Sequence, residues 1–392
     1  MSVYITGIGI VSAIGLNVKA NFNSLTNNKS GIEPIKFLSY NKNIPVGEVK
    51  LTNEELIKNY HVKTNNISRT SLLAIAAATE ACGENFQRND IRTGFITATS
   101  VGGMDRSEKY FQLLHEGKPA DTLLLSTHDT GNTTEKIAAQ LGFSGYINTL
   151  STACSSSANS IMLGARMIEQ NKLDRVIVGG ADALSIFTIN GFHSLMIYDN
   201  EWCKPFDENR NGLNLGEGAA FLILESEASI NKTKKVPLCQ LSGWANTSDA
   251  FHQTASSPEG KGATLAMQQA IVKAELNPSD ISYINAHGTG TKNNDLSEST
   301  ALLNVFGENI PPFSSTKSFT GHTLAAAGAI EAVFSVLAIQ NNLMYPNLNF
   351  QNAITETKLI PQSKLNSSIA IDAVLSNSFG FGGNNSSLVF KK

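Results

Sequence analysis

The two halves of this 392-residue chain run through the same parts in the same order, and this weak internal repeat limits the fold more than any other feature. In the first half a strand pattern ends in small residues (Gly94-Phe-Ile-Thr-Ala-Thr-Ser100), and a helix opens after Cys154. A further strand leaves through Val176-Ile-Val-Gly-Gly-Ala-Asp182, and Gly216-Glu-Gly218 leads into an apolar run. The second half offers Tyr283-Ile-Asn-Ala-His-Gly-Thr289, a helix after His322, then Ala373-Val-Leu-Ser-Asn377, and Gly382-Gly-Asn-Asn-Ser386 leading into 388–390. Two similar domains follow, 1–230 carrying the candidate cysteine and 231–392 carrying the two candidate histidines, with their reactive residues at a shared seam.

Apolar β-rich runs alternate with Ala-rich helical stretches, the pattern of layered α/β structure. Strands are expected over 3–8, 93–97, 146–150, 175–179, 219–224, 238–242, 281–286, 369–375 and 387–390, and helices over 68–82, 134–141, 155–170, 263–274, 296–306 and 324–340. Gly7, Gly9 and Gly15 interrupt the apolar N-terminus, which reads as a strand and a Gly-rich turn rather than a signal peptide. The Asn-rich stretch 199–215 reads as a long surface excursion with the length of a functional loop.

Composition removes whole classes. At 41% hydrophobic and 16% charged residues the chain has the apolar material for a core, which excludes intrinsic disorder. Thirty basic against 33 acidic residues, a net charge of -3, argues against a nucleic-acid binder. Four cysteines without metal-ligand spacing form no disulfide framework and point to a reducing compartment, the cytoplasm. No uninterrupted apolar run reaches the roughly 18–20 residues of a membrane span. Neither a P-loop nor a dinucleotide fingerprint after the first strand is present.

Cys154, in Ser151-Thr-Ala-Cys-Ser-Ser-Ser157, follows a strand and opens a helix of small residues. Small neighbours permit a tight turn, and a helix N-terminus favours a thiolate. The alternative is a buried, inert cysteine, the reading kept for Cys82, Cys203 and Cys239. His287 lies at a strand's C-terminal end before a Gly-rich turn, a common site position in α/β proteins; a His satisfied in the core is the other reading. His322 precedes an Ala/Gly helix whose small face allows close packing, and Lys317 stands five residues upstream. By residue type alone Lys317 reads as a solvated surface charge.

Together these motifs resemble the β-ketoacyl-acyl carrier protein synthases of the elongating, Cys-His-His type. The resemblance runs from Val3-Tyr-Ile-Thr-Gly-Ile-Gly9 through Thr152-Ala-Cys-Ser-Ser156, Pro205-Phe-Asp207, Leu215-Gly-Glu-Gly-Ala219, Ala286-His-Gly-Thr-Gly-Thr291, Lys317 and Gly321-His322 to Ser376-Asn-Ser-Phe-Gly-Phe-Gly-Gly-Asn-Asn385. It implies the thiolase fold, a duplicated five-layered α/β/α/β/α sandwich, and a homodimer, with a heterodimer with a paralogue as the variant. It implies decarboxylative Claisen condensation with malonyl carrier protein, without metal or organic cofactor, the phosphopantetheine arriving on the carrier protein.

The resemblance also implies roles. Cys154 is the nucleophile, and the N–H groups of Cys154 and Phe381 meet the oxyanion. His287 and His322, as neutral imidazoles with protonated Nε2, stabilise the enolate. Lys317 holds position and charge near His322, with Glu331 as its partner. Thr289 and Thr291 touch the phosphopantetheine arm, Val101 and Phe192 line the acyl pocket, Phe381 gates it, and 249–254 forms a second gating loop. Lys63 and Arg69 dock the acidic carrier protein, Lys118 more weakly. The chain departs from the family at Asn159 (a frequent His), at Arg210-Asn-Gly-Leu213 (usually Arg-Asp-Gly-Phe) and at Gly382-Gly-Asn-Asn385 (usually Gly-Gly-Thr-Asn). The departures point to a specialised acyl product, such as a polyene or polyketide, beside housekeeping fatty acid synthesis. The competing readings are a non-catalytic partner subunit that shapes the tunnel of an active paralogue, and a malonyl decarboxylase or acyltransferase that does not condense.

Overall fold

The computed structural model describes residues 2–64, 66–83, 86 and 90–392. Its frame is one ten-stranded sheet in the order Phe313–Ser314, Tyr283–Asn285, Ala373–Gly380, Asn384–Lys391, Cys239–Ser248, Val3–Ser12, Gly218–Ser226, Arg175–Asp182, Thr93–Ala98, Tyr146–Leu150. Outward from the middle, each half presents its first, fifth, fourth, second and third strand. The pairing senses repeat as well: two antiparallel contacts, then two parallel ones. The two first strands join the halves antiparallel, Val3 opposite Leu241 and Ile5 opposite Cys239.

Helices form the other layers. Arg69–Cys82 covers the outer face of the first half-sheet, and Lys261–Lys273 with Lys292–Phe306 covers that of the second. Between the half-sheets lie Ser156–Glu169 and Ala327–Asn341, in contact with each other and with both halves. The result is the five-layered α/β/α/β/α arrangement. The 18 residues Leu324–Asn341 are long and apolar enough to cross a membrane, but 89% of them are buried inside the protein, so this is its central core helix.

The first strand continues through Ser12, past the glycines expected to end it. A Cβ on Gly9 would lie 2.1 Å from Ala77 O, so this glycine serves close approach of the helix Arg69–Cys82 and not a turn. Stretch 199–215 has no regular structure but is not a surface excursion. Asp199, Cys203, Phe206, Asp207, Arg210, Leu213, Asn214 and Leu215 are buried. Its polar side chains bond inward: the Arg210 guanidinium donates to the carbonyls of Asp207, Thr291 and Lys292, and Asp207 accepts from the amides of Gln351 and Asn352. Strand Phe313–Ser314 and the helices Val18–Thr26, Asn53–Asn59, Met104–His115, Ile186–Ser194 and Glu227–Thr233 are additions to the expected elements.

The central helices meet through small residues. A Cβ on Gly328 would lie 2.9 Å from Ala158 N and 2.8 Å from Ser378 Oγ, and Ala329 N donates to Ser157 Oγ at 2.8 Å. Gly328→Val should therefore overpack this contact and cost about 1–3 kcal/mol. A lower urea midpoint with an unchanged denaturant slope checks this.

Candidate active site

Cys154 stands between the strand Tyr146–Leu150 and the helix Ser156–Glu169. The turn is tight: Ala153 takes φ +54°, the left-handed region that side chains rarely occupy. The Gly380 backbone packs on it, where a Cβ would lie 2.9 Å from Thr152 O and 3.2 Å from Cys154 N. The residue is 6% exposed. Burial pushes its pKa up to about 12, while the Lys317 charge and the N–H groups of Phe381 and Cys154 pull it down. The expected resting thiolate is thus not reached: desolvation outweighs the donors, and the group rests as a thiol.

His287 follows the strand Tyr283–Asn285, and a carboxylate fixes its backbone. Glu298 accepts from the amides of His287 and Gly288 at 2.9 and 2.8 Å, and from Asn377 Nδ2 at 3.1 Å. Asp295, one helical turn earlier, accepts from the amides of Gly290 and Phe206. His322 is held by the irregular stretch: its amide donates to Asn214 O at 2.7 Å, and its carbonyl accepts from Gly216 N at 3.0 Å. Asn214 in turn is tied to the carbonyls of Asp199 and Glu201. Asp182 accepts from Thr99, Ser100 and Val101 and from Ala325 N, fastening the segment after His322 to the first half.

The two imidazoles face each other, centroids 5.4 Å apart and nearly perpendicular. Burial and the Lys317 charge hold both well below the usual pKa of 6.5, with His322 adding to the effect on His287, so both rings are neutral. Lys317 is 2% exposed, against its surface reading. Its Nζ donates to His287 O at 2.6 Å, lies 3.2 Å from His287 Nδ1, and bonds Glu331, the expected partner. An ammonium only donates, so Nδ1 of His287 is the acceptor and its proton sits on Nε2. Of the two histidines Lys317 therefore hydrogen-bonds His287, while its charge acts on His322 too. Nδ1 of His322 is buried without a hydrogen bond among the described residues. Burial pushes the Glu331 carboxyl up to about 7, against the pull of Lys317.

Cys154, Phe192, His287, Thr289, Thr291, His322 and Phe381 line one cavity of about 340 Å³. Lys317 and Glu331 stand behind it. The Thr289 and Thr291 hydroxyls are 3.0 Å apart. Phe381 stacks on Phe192, centroids 5.8 Å apart. The loop 249–254 meets the Phe381 loop through Asp249 N to Gly383 O and Gly382 N to Gln253 O. Val101 does not line the cavity; it packs with Phe192 on the apolar cluster of Leu184, Ile189 and Tyr198 behind the stacked rings.

Arg69 corrects its docking assignment. Its guanidinium holds Glu217 through two bonds of 2.6 and 2.8 Å and also reaches Asn53 and the carbonyls of Val49 and Leu51, leaving the side chain 13% exposed. It is an internal tie and offers no free charge. Lys63 is exposed, and Lys118 pairs with Glu116.

A buried thiol facing two N–H donors and two neutral imidazoles defines an acyl-transfer centre with provision for a second developing negative charge. Residues 1–229 match the family described as Beta-ketoacyl synthase, N-terminal domain, and residues 238–351 its C-terminal domain. The chain belongs to the β-ketoacyl synthase family. It is 34% identical to the Staphylococcus aureus 3-oxoacyl-[acyl-carrier-protein] synthase 2, covering 100% of this chain and 98% of that one. It is 32% identical to a putative mitochondrial 3-oxoacyl-[acyl-carrier-protein] synthase of Schizosaccharomyces pombe, covering 100% and 99%. Among solved structures it is similar to the ishigamide ketosynthase/chain length factor (TM-score 0.93, 28% identity, covering 100% and 99%). It is also similar to a Xenorhabdus doucetiae ketosynthase in complex with its chain length factor (TM-score 0.85, 33% identity, covering 100% and 98%).

The depressed imidazole pKa values have a stability consequence with a definite sign. The unfolded chain takes up a proton at each His near 6.5 and the folded one does not, so below that pH the unfolded state binds more protons. The contribution of these two rings to stability should fall as the pH drops below about 6.5. It is opposed by the buried carboxyls of Glu298 and Glu331, which take up protons at about 7 in the folded state. The His287 and His322 ring signals should not titrate between about pH 8 and about pH 6. Imidazole NMR, and the difference in urea-unfolding pH dependence between the native chain and a His287→Ala/His322→Ala variant, check both; a ring titrating near 6.5 contradicts the assignment.

Proposed function

We propose that this protein condenses carrier-bound acyl chains with malonyl carrier protein, extending them by two carbons. The observation that carries this reading is the convergence of Cys154, two backbone N–H groups and two neutral imidazoles on one cavity. First the Cys154 sulfur attacks the acyl thioester. A new S–C bond forms, the bond to the pantetheine sulfur breaks, and the thiol proton leaves with the pantetheine thiol. The N–H groups of Cys154 and Phe381 meet the oxyanion formed on the way.

Malonyl carrier protein then enters. Its carboxylate leaves as CO₂, and the bonding pair moves to the thioester enolate. Nε2–H of His287, fixed by Lys317, donates to the developing enolate oxygen, and His322 faces the same position. The enolate carbon attacks the acyl-Cys154 carbonyl, the S–C bond breaks, and β-ketoacyl carrier protein leaves while the released Cys154 thiolate takes a proton from solvent. All charge stabilisation in this route comes from N–H donors of the chain, without metal or organic cofactor; the phosphopantetheine arm belongs to the incoming substrate, with Thr289 and Thr291 along its path.

The reading extends to organisation. Residues 1–230 supply the nucleophile and 231–392 the histidines. The edge strand Tyr146–Leu150 exposes Tyr146 and Ile147, and Phe111, Leu114 and Leu123 are also exposed, which supports a second subunit on this side of the first half. A homodimer is the simplest arrangement, since this chain holds its own nucleophile; a paralogue in the second place is the variant. The chemistry fits a cytoplasmic enzyme of fatty acid or polyene/polyketide-type synthesis, and Lys63 remains the basic residue for carrier docking.

Incubation with acyl and malonyl carrier proteins, read by mass spectrometry, should show acyl-Cys154 and then a product two carbons longer. Cys154→Ala should show neither; a non-catalytic subunit would give neither with the native chain, and a decarboxylase would stop at acetyl carrier protein. His322→Ala should keep the acyl adduct while lowering malonyl decarboxylation by about 10²–10³.

A further inference from the structure

One side-chain oxygen ties together the parts that place the two oxyanion donors. Asn384 Oδ1 accepts from Ser155 Oγ at 2.6 Å, from Asn246 Nδ2 at 2.7 Å and from Asn159 Nδ2 at 3.0 Å. These donors come from the residue after the nucleophile, from the helix Ser156–Glu169 behind it, and from the strand Cys239–Ser248 that leads into the loop 249–254. Asn384 also donates to Asn246 Oδ1 at 3.3 Å. Asn159 adds bonds to Thr152 Oγ1 at 2.8 Å and from Ser386 Oγ at 3.2 Å. Two of the chain's departures from its family, at 159 and 384, are thus hydrogen-bonded to each other.

The position of Asn384 gives this network a consequence. It lies opposite Gly380 in the final hairpin, directly after the Gly382-Gly383 turn, and Phe381 sits in that turn. Ser155, its shortest partner, is the neighbour of Cys154. The bond from Ser155 Oγ to Asn384 Oδ1 therefore directly bridges the segments that carry the Phe381 and Cys154 amides, with Asn159 adding bonds to Asn384 and from Ser386. Among the described residues the side-chain hydrogen bonds of Asn384 go to Ser155, Asn159 and Asn246, and none goes to an imidazole, Lys317 or Glu331.

We propose that Asn384 is a positioning residue for the oxyanion site at Cys154, acting through Ser155 on one side and the Phe381 hairpin on the other. It sets the acyl-transfer step and leaves malonyl decarboxylation, which uses the two histidines, unaffected. The proposal rests on the condensing reading and deepens it.

The test compares Asn384→Val with Asn384→Thr. The two side chains share a shape, and only the hydroxyl of Thr offers an acceptor to Ser155. Acyl transfer from acyl carrier protein to Cys154 and decarboxylation of malonyl carrier protein are measured separately on the purified full chain. Asn384→Val should slow acyl transfer by about 10-fold to 10²-fold, with decarboxylation within about twofold of the native rate, and Asn384→Thr should recover most of the transfer rate. If Asn384→Val is insoluble, Asn384→Ala takes its place. Equal loss in both reactions, undiminished acyl transfer in the variant lacking the acceptor, or no difference between Val and Thr overturns the proposal. Native protein that neither forms the adduct nor decarboxylates would instead overturn the condensing reading itself.

Discussion

The close contact between the two central helices is the constraint on which the site depends. Cys154 precedes one and His322 the other, on opposite halves of the chain. They reach one cavity because Gly328 lets its backbone settle against Ala158 with no side chain between. Larger residues at that crossing would separate the sulfur from the imidazoles before they disturbed either half-sheet. The half-sheets add the second condition: their shared topology turns the ends of corresponding strands towards the same central layer.

Burying so many polar groups requires that most be answered, with Nδ1 of His322 left without a hydrogen-bond partner among the described residues. Lys317 is held by Glu331 and by the His287 carbonyl, which leaves it to act as a fixed donor that sets the tautomer of His287. Glu298 and Asp295 hold the loop backbone by accepting its amides. The cost appears in the raised carboxyl and thiol pKa values and the lowered imidazole ones, all dominated by desolvation. A water-poor cavity that disfavours ionised groups at rest gives the strongest return when charge develops next to oriented N–H dipoles.

Much of this was legible from the order of the chain. The repeat, the small-residue context of Cys154, and the placement of His287 and His322 at element ends are local patterns, and local patterns survive in a sequence. What was hidden depends on contacts between distant segments. Arg69 and Glu217 are 148 positions apart, so nothing near Arg69 discloses that its charge is already engaged. The stretch 199–215 is polar and irregular, which reads as solvated until its hydrogen bonds to 291, 292, 351 and 352 are seen. Glu298 had a faint signal, since an acid three residues after Asp295 in the helix following a Gly-rich turn shares its face. Phe313–Ser314 is too short to carry a periodic pattern.

Phe192 and Phe381 stack on each other while both line the cavity that holds Cys154; on the proposed reading, a hydrocarbon tail passing between them would have to separate the rings. Such a ring pair is worth about 0.5–1.5 kcal/mol beyond its buried area, and each methylene removed from water returns about 0.8 kcal/mol. Roughly two methylenes are thus enough to offset the lost ring contact. On that reading starter units shorter than this would work against a closed door, while longer ones would hold it open by their own hydrophobicity, and the aromatic pair would set a threshold on tail length rather than act as a ruler.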